Sequence, residues 1–145
     1  MASAMDPGRF EDYEAIKKLK ARYFRFLDTK RWQEFGELFA EDAFFVNPET
    51  GQPTVCGRQA IVERVRTFVK DAVTVHHGHM PEIELTGQTT ATAIWAMFDL
   101  LDDGDRSSTG YGHYEETYVK IDSEWKIRSS QLTRLHHVES RAGKT

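Results

Sequence analysis

The sequence predicts an α+β fold in which three N-terminal helices cover one face of a long, curved antiparallel or mixed sheet. Apolar residues recur in steps of three and four through the first half of the chain, the helical period. From Val73 onward the pattern changes to β-rich runs separated by short polar turns, the signature of a meander. The length of 145 residues suits one domain and buries about two thirds of the surface that the unfolded chain exposes.

Tyr13, Ile16, Leu19, Tyr23 and Leu27 fall on one face of a first helix that ends near Asp28. Trp32, Phe35 and Phe39 repeat the spacing after a short break and predict a second helix packed against the first. Ala43 to Val46 reads as a short strand, and Asn47-Pro48-Glu49-Thr50-Gly51 as a turn. Ile61, Val65, Phe68 and Val69 mark a third helix after Gly57. Four strands are then predicted: Val73 to Leu85, Thr89 to Leu101, Ser108 to Ile121 and Trp125 to His136. The turns between them, Thr86-Gly87-Gln88, Asp102-Asp103-Gly104-Asp105 and Asp122-Ser123-Glu124, suit hairpins. The domain is expected over 11–138, after a flexible segment at 1–10 and before a tail at 139–145, polar from Arg141 to Thr145.

The formal charge is −4, with 19 Lys and Arg against 23 Asp and Glu scattered along the chain. No basic stripe exists to follow a phosphate backbone, so nucleic acid is not an expected partner. No run approaches the roughly 20 apolar residues of a membrane span, and the start of the chain lacks the apolar core of a signal peptide. A soluble, cytoplasmic protein is expected. Cys56 is the single cysteine, which excludes an intrachain disulfide and a cysteine metal cage, and a buried, inert thiol is the expectation. The 12% of aromatic residues leaves rings to spare for lining a pocket.

Asp99 sits within Ala93 to Leu101, where almost every neighbour is apolar. A carboxylate buried there needs a partner, a proton or a function, unless the strand is already ending and Asp99 belongs to the solvated turn. Asp28 closes the first helix, where exposed carbonyls disfavour a negative charge and an imidazole would be a fitting partner. Tyr23, five residues earlier, offers a phenol from the apolar face; the plainer readings are a core ring and a helix-ending turn residue. His76, His77 and His79 form the densest chemical cluster. Alternation sends His77 and His79 to one face and His76 to the other, while Gly78 and Pro81 signal a bulge that can reset the phase. Three imidazoles near carboxylates could also hold zinc or iron, although the helical His-x-x-x-His spacing is absent. His113 lies among small residues that would let a ligand approach the backbone. Arg134 could anchor an anion, neutralise Asp99 or lie on the surface, and His136 and His137 are read as solvent-exposed.

Read together, the segments Lys20 to Trp32, His76 to Ile83, Thr90 to Asp99 and Trp125 to Arg134 resemble the SnoaL-like/NTF2-like superfamily, and within it the bile-acid 7α-dehydratases. The resemblance covers Ala15 to Arg134 and implies a cone-shaped NTF2-like or cystatin-like α+β barrel. It places the catalytic positions on Tyr23, Asp28, His76, Asp99 and Arg134. It further implies substrate binding by His79, Trp95, His113 and Tyr114, the His113 strand being more similar to scytalone dehydratase. The implied activity is dehydration of a hydroxylated, carbonyl-activated steroid-like or polycyclic substrate, without metal or organic cofactor. His76, oriented by Asp28 or Asp99, would act as the base, and Tyr23 would bind the oxyanion or protonate the leaving hydroxyl. The partners implied are a small hydrophobic polycyclic substrate and further copies of the chain, a trimer being favoured. The rival readings are a ketosteroid isomerase, a polyketide cyclase, a metal enzyme and a non-catalytic binding or assembly module.

Overall fold

A computed structural model describes residues 7–141. The elements in chain order are α1 (Pro7–Asp28), α2 (Trp32–Glu37), β1 (Phe39–Val46), β2 (Pro53–Cys56), α3 (Arg58–Val69), β3 (Val73–Leu85), β4 (Thr90–Asp102), β5 (Arg106–Ile121) and β6 (Glu124–Arg141). The face expected on the first helix is buried, with Ile16, Leu19, Tyr23 and Leu27 in the core. The described part of this helix runs from Pro7 to Asp28. Residues 1–6 and the end of the expected tail, 142–145, lie outside the described residues.

The second helix is shorter than its apolar spacing suggested. It ends at Glu37, and Phe39 opens β1 instead. Phe39 is buried in the strand, as the apolar face of a helix would also require, so spacing alone could not separate the two. The parallel pairing Phe39↔Ile127 and the bond from Ile127 N–H to the Leu38 carbonyl at 2.9 Å settle it in favour of the strand. β2 had no sequence signal: it is four residues long, begins at Pro53 and pairs antiparallel with β1 through Phe44↔Cys56 and Phe45↔Val55. Proline is tolerated there because β2 is an edge strand. Alternation buries Val55 and turns Cys56 outward, so the thiol is exposed, not buried.

The six strands form one mixed sheet in the order β2-β1-β6-β5-β4-β3, with β1 and β6 parallel and the other neighbours antiparallel. The sheet stays open between its edges β2 and β3 and does not close into a barrel. β6 runs to Arg141 because the start of β5 extends to pair with it, Arg106↔Arg141. The β5–β6 hairpin turns on Asp122 and Ser123, at φ 49° and 68°, the left-handed pair of a type I′ turn. Inward-facing residues alternate along the sheet: Ala91, Ala93, Trp95 and Met97 on β4, then Tyr114, Glu116 and Tyr118 on β5. They pack against α1, whose C-terminal end lies over β3.

Candidate active site

The site begins where α1 stops. Arg31 N–H bonds the Phe26 carbonyl at 2.8 Å and Lys30 N–H bonds the Leu27 carbonyl at 3.1 Å, with Lys30 in the left-handed region at φ 59°. This is a Schellman ending, and it leaves Asp28 at the negative end of the helix dipole. β3 supplies the compensating donors. Asp28 Oδ2 accepts the His76 backbone N–H at 2.8 Å, and Oδ1 accepts the Thr74 hydroxyl at 3.0 Å. The same Oδ1 lies 2.6 Å from His76 Nδ1. Against an ionised carboxylate, which can only accept, a neutral imidazole carries its proton on Nδ1 and keeps its lone pair on Nε2.

His76 sits on the wall of a cavity of about 650 Å³ that also touches Tyr23, Asp99, Tyr114, Arg134 and Leu132. Residues of α3, Val65, Phe68 and Val69, and of β1, Phe45 and Val46, supply its apolar side. Such a mixture of apolar wall and converging polar groups is what a small-molecule site requires.

Asp99 occupies the β4 position paired with His76, yet its partner is Arg134. Nη1 and Nη2 of Arg134 reach its two oxygens at 3.0 and 2.7 Å, a bidentate fork that holds the guanidinium still more firmly protonated. The fork exists because Gly110 stands between the two side chains: a Cβ there would lie 1.8 Å from Arg134 Nη1 and 2.5 Å from Asp99 Oδ1.

Burial, then the charges of Glu116, Asp28 and Asp99, push the Tyr23 phenol far above its usual range, with Tyr114 acting in the opposite sense by a hydrogen bond. Burial, then Tyr23 and Glu116, likewise push Tyr114 up. Both hydroxyls therefore stay protonated at neutral pH and act as donors.

Three of the residues expected to bind substrate or sit beside the base are placed elsewhere. His79 and His113 share a cross-strand row through Ala96 on the outer face of the sheet, opposite Trp95 and Tyr114. His77 is also outside, where its ring begins a ladder through Phe98, Tyr111 and His136 at centroid spacings of 5.8, 5.4 and 6.2 Å. Alternation places His76 inward, and the expected bulge comes after His79, with Met80 at φ 40°. Trp95 faces inward but lies behind the cavity wall, its Nε1 donating to the Tyr118 hydroxyl at 2.9 Å. Among the described residues, no group of three or more His, Cys, Asp or Glu side chains assembles as a metal site. No helix among them is long and apolar enough to cross a membrane.

A model of the SnoaL-like domain matches residues 8–131. The chain belongs to the SnoaL-like family. A Gibberella zeae protein named Probable cyclase FGR4 is 27% identical over 134 residues, covering 83% of this chain and 89% of that protein. A Novosphingobium aromaticivorans structure provisionally assigned as a scytalone dehydratase superposes with a TM-score of 0.80 at 22% identity, over 95% of this chain and 97% of that one. The hexachlorocyclohexane dehydrochlorinase LinA type 2 gives a TM-score of 0.81 at 17% identity, over 95% of both chains. A Nostoc punctiforme protein with a cystatin-like fold gives 0.70 at 16% identity, over 85% of this chain and 90% of that one. At these identities the structures establish a shared fold.

Within this SnoaL-like cavity, some lining residues went unread in the sequence. Ser130 and Leu132 face it from β6, and their inward direction was visible in alternation with Arg134. Arg64, Asn47 and Glu49 line it as well; no pattern distinguishes them from ordinary surface residues. Lys20 and Glu116 had a signal that was not used. Lys20 falls on the buried face with Ile16, Tyr23 and Leu27, and Glu116 alternates with Tyr114 and Tyr118.

Proposed function

We propose that the chain is a dehydratase that needs no cofactor and stands nearest the bile-acid 7α-dehydratases among SnoaL-like proteins. Its substrate class is a hydroxylated, carbonyl-activated steroid-like or polycyclic molecule. The observation that carries this reading is the His76–Asp28 contact at 2.6 Å on the wall of a largely apolar cavity that also presents a protonated Tyr23. His76 Nε2 removes a proton made acidic by conjugation to the carbonyl, while Tyr23 donates to the oxygen on which charge develops. As the carbon–oxygen bond breaks, the electron pair of the lost C–H becomes the new double bond. The proton held on His76 is delivered to the departing hydroxyl, so water leaves and the imidazole is restored. Asp28 keeps the imidazole in the required tautomer and stabilises its transient positive charge.

The dehydratase and dehydrochlorinase names of the structural neighbours support an elimination. The FGR4 name supports a second reading, a cyclase, in which the same base generates a carbanion that attacks within the substrate. An absorbance assay for a new conjugated double bond tests the first reading, with wild type and His76→Ala presented with 7-hydroxylated 3-oxo-4-ene steroids, free and thioester-linked. Signal from wild type that is lost in the variant supports it; no signal from wild type rejects 7-hydroxylated 3-oxo-4-ene steroids as its substrates. We further infer a homo-oligomer, a trimer favoured, formed through the outer sheet face. Ile94, Tyr111 and Val138 are exposed there beside the ring ladder, continuing an apolar surface for a second copy. Light scattering that returns a monomer rejects it.

A further inference from the structure

Lys20 and Glu116 form an ion pair at 2.8 Å with both side chains at 0% exposure. Replacing such a pair by apolar residues is often neutral or stabilising, so fold stability is a weak reason for its presence. Its surroundings suggest a different one. Lys20 Nζ lies 3.7 Å from the ring centroid of Tyr23 and 3.7 Å from that of Tyr114. An ammonium has three donors; here one meets the Glu116 carboxylate, and two ring faces stand where the others can point. Glu116 is fixed in turn, with Oε1 accepting the Tyr118 hydroxyl at 2.7 Å and Oε2 accepting both Lys20 and the Ser130 hydroxyl at 2.7 Å. Tyr118 is itself held by Trp95. The pair thus ties α1 to β4, β5 and β6 one layer behind the cavity wall, while the two rings it supports reach the cavity.

We propose that Lys20 is a positioning residue: held by Glu116 against both rings, it sets the Tyr23 and Tyr114 hydroxyls as a paired donor site for an anionic, enolate- or phenolate-type oxygen of the ligand. The attraction of a cation for a ring face grows as negative charge moves onto that ring. Each phenol donates part of its proton's charge to the ligand oxygen and gains density in its own ring, which the buried ammonium offsets. The ammonium thus faces both rings at 3.7 Å, while the Glu116 carboxylate that holds it acts on both phenols in the opposite sense. The inference deepens the reading of this cavity as an acid–base site and names the charge type that its donors await.

The test uses 4-nitrophenol, whose visible absorbance reports its own ionisation, and requires no turnover. Wild type is expected to bind the phenolate in preference to the phenol. Lys20→Met combined with Glu116→Gln removes both charges together and is expected to reduce that preference about tenfold, one pKa unit for the bound phenol. Tyr114→Phe, which keeps the ring against the ammonium but deletes the donor, is expected to reduce it too. A folded double variant with wild-type preference, or a wild type that does not favour the phenolate, overturns the proposal. Should the double variant fail to fold, the side-chain nitrogen resonance of Lys20 in ¹⁵N-lysine-labelled wild type decides. It shifts on binding the phenolate if the ammonium senses the ligand's charge, and an unmoved resonance overturns the proposal. Failure of the dehydratase assay with a positive phenolate result would reject the reaction and leave this site standing.

Discussion

His76 and Asp99 are direct cross-strand partners on β3 and β4, yet each is paired with a different residue, the imidazole with Asp28 and the carboxylate with Arg134. The division gives the cavity one His–Asp unit able to move a proton and one Arg–Asp unit whose charges are mutually satisfied. Arg134 commits two of its five N–H donors to Asp99.

Asp28→Asn tests the first unit. The amide can still accept from the His76 backbone, but it no longer enforces a proton on Nδ1 or stabilises an imidazolium. Loss of a positioned acid–base group lowers rates by about 10²–10⁴-fold, and kcat is expected to fall within that range with the fold intact by circular dichroism. A kcat within a few-fold of wild type would remove Asp28 from the mechanism.

Much of this arrangement is legible in the sequence, because it follows from periodicity. Steps of three and four put Tyr23 on the buried face of α1, and alternation put His76 opposite His77 and His79. Which carboxylate would hold His76 was not legible, since both Asp28 and Asp99 come within reach once β3 crosses the end of α1. The choice depends on Arg134, which takes Asp99 across 35 residues of sequence. The Lys20–Glu116 pair spans 96 residues and depends on which strand passes under the helix, information that no local pattern holds. The strand Pro53–Cys56 was hidden by its brevity and by a turn on one side and a glycine on the other.

Gly110→Ala tests the second unit. The added methyl would meet Arg134 Nη1 at 1.8 Å and Asp99 Oδ1 at 2.5 Å, so the fork must open. Overpacking of this kind costs about 1–3 kcal/mol, and the melting temperature should fall accordingly. Activity should fall beyond what lost folding explains, because the displaced guanidinium is left on the cavity wall. A variant of unchanged stability would show that the fork is freely adjustable.

His79→Ala and His113→Ala should leave the chemistry of the cavity unchanged. Both positions lie on the outer face of the sheet, away from the cavity. KM for any substrate turned over should stay near the wild-type value in each variant. A large rise in KM for either would mean that the outer face takes part in binding.

Alkaline pH should unfold the protein through its buried phenols. Tyr23, Tyr114 and Tyr118 are each pushed above the ordinary tyrosine value, by burial first and with the Glu116 charge adding to it. A raised folded-state pKa means that the unfolded chain releases its protons first, at about pH 10. The stability linked to these groups is thus fully present below about pH 10 and is lost as the pH rises toward the folded-state values. Tyr13 and Tyr111 complete the five tyrosines, so a Tyr13→Phe/Tyr111→Phe background isolates the three buried ones. In that background, phenolate absorbance should appear together with the loss of circular dichroism as pH is raised. Full ionisation near pH 10 in a protein that keeps its dichroism would mean that these hydroxyls are open to solvent, and the dry donor site built from Tyr23 and Tyr114 would have to be abandoned.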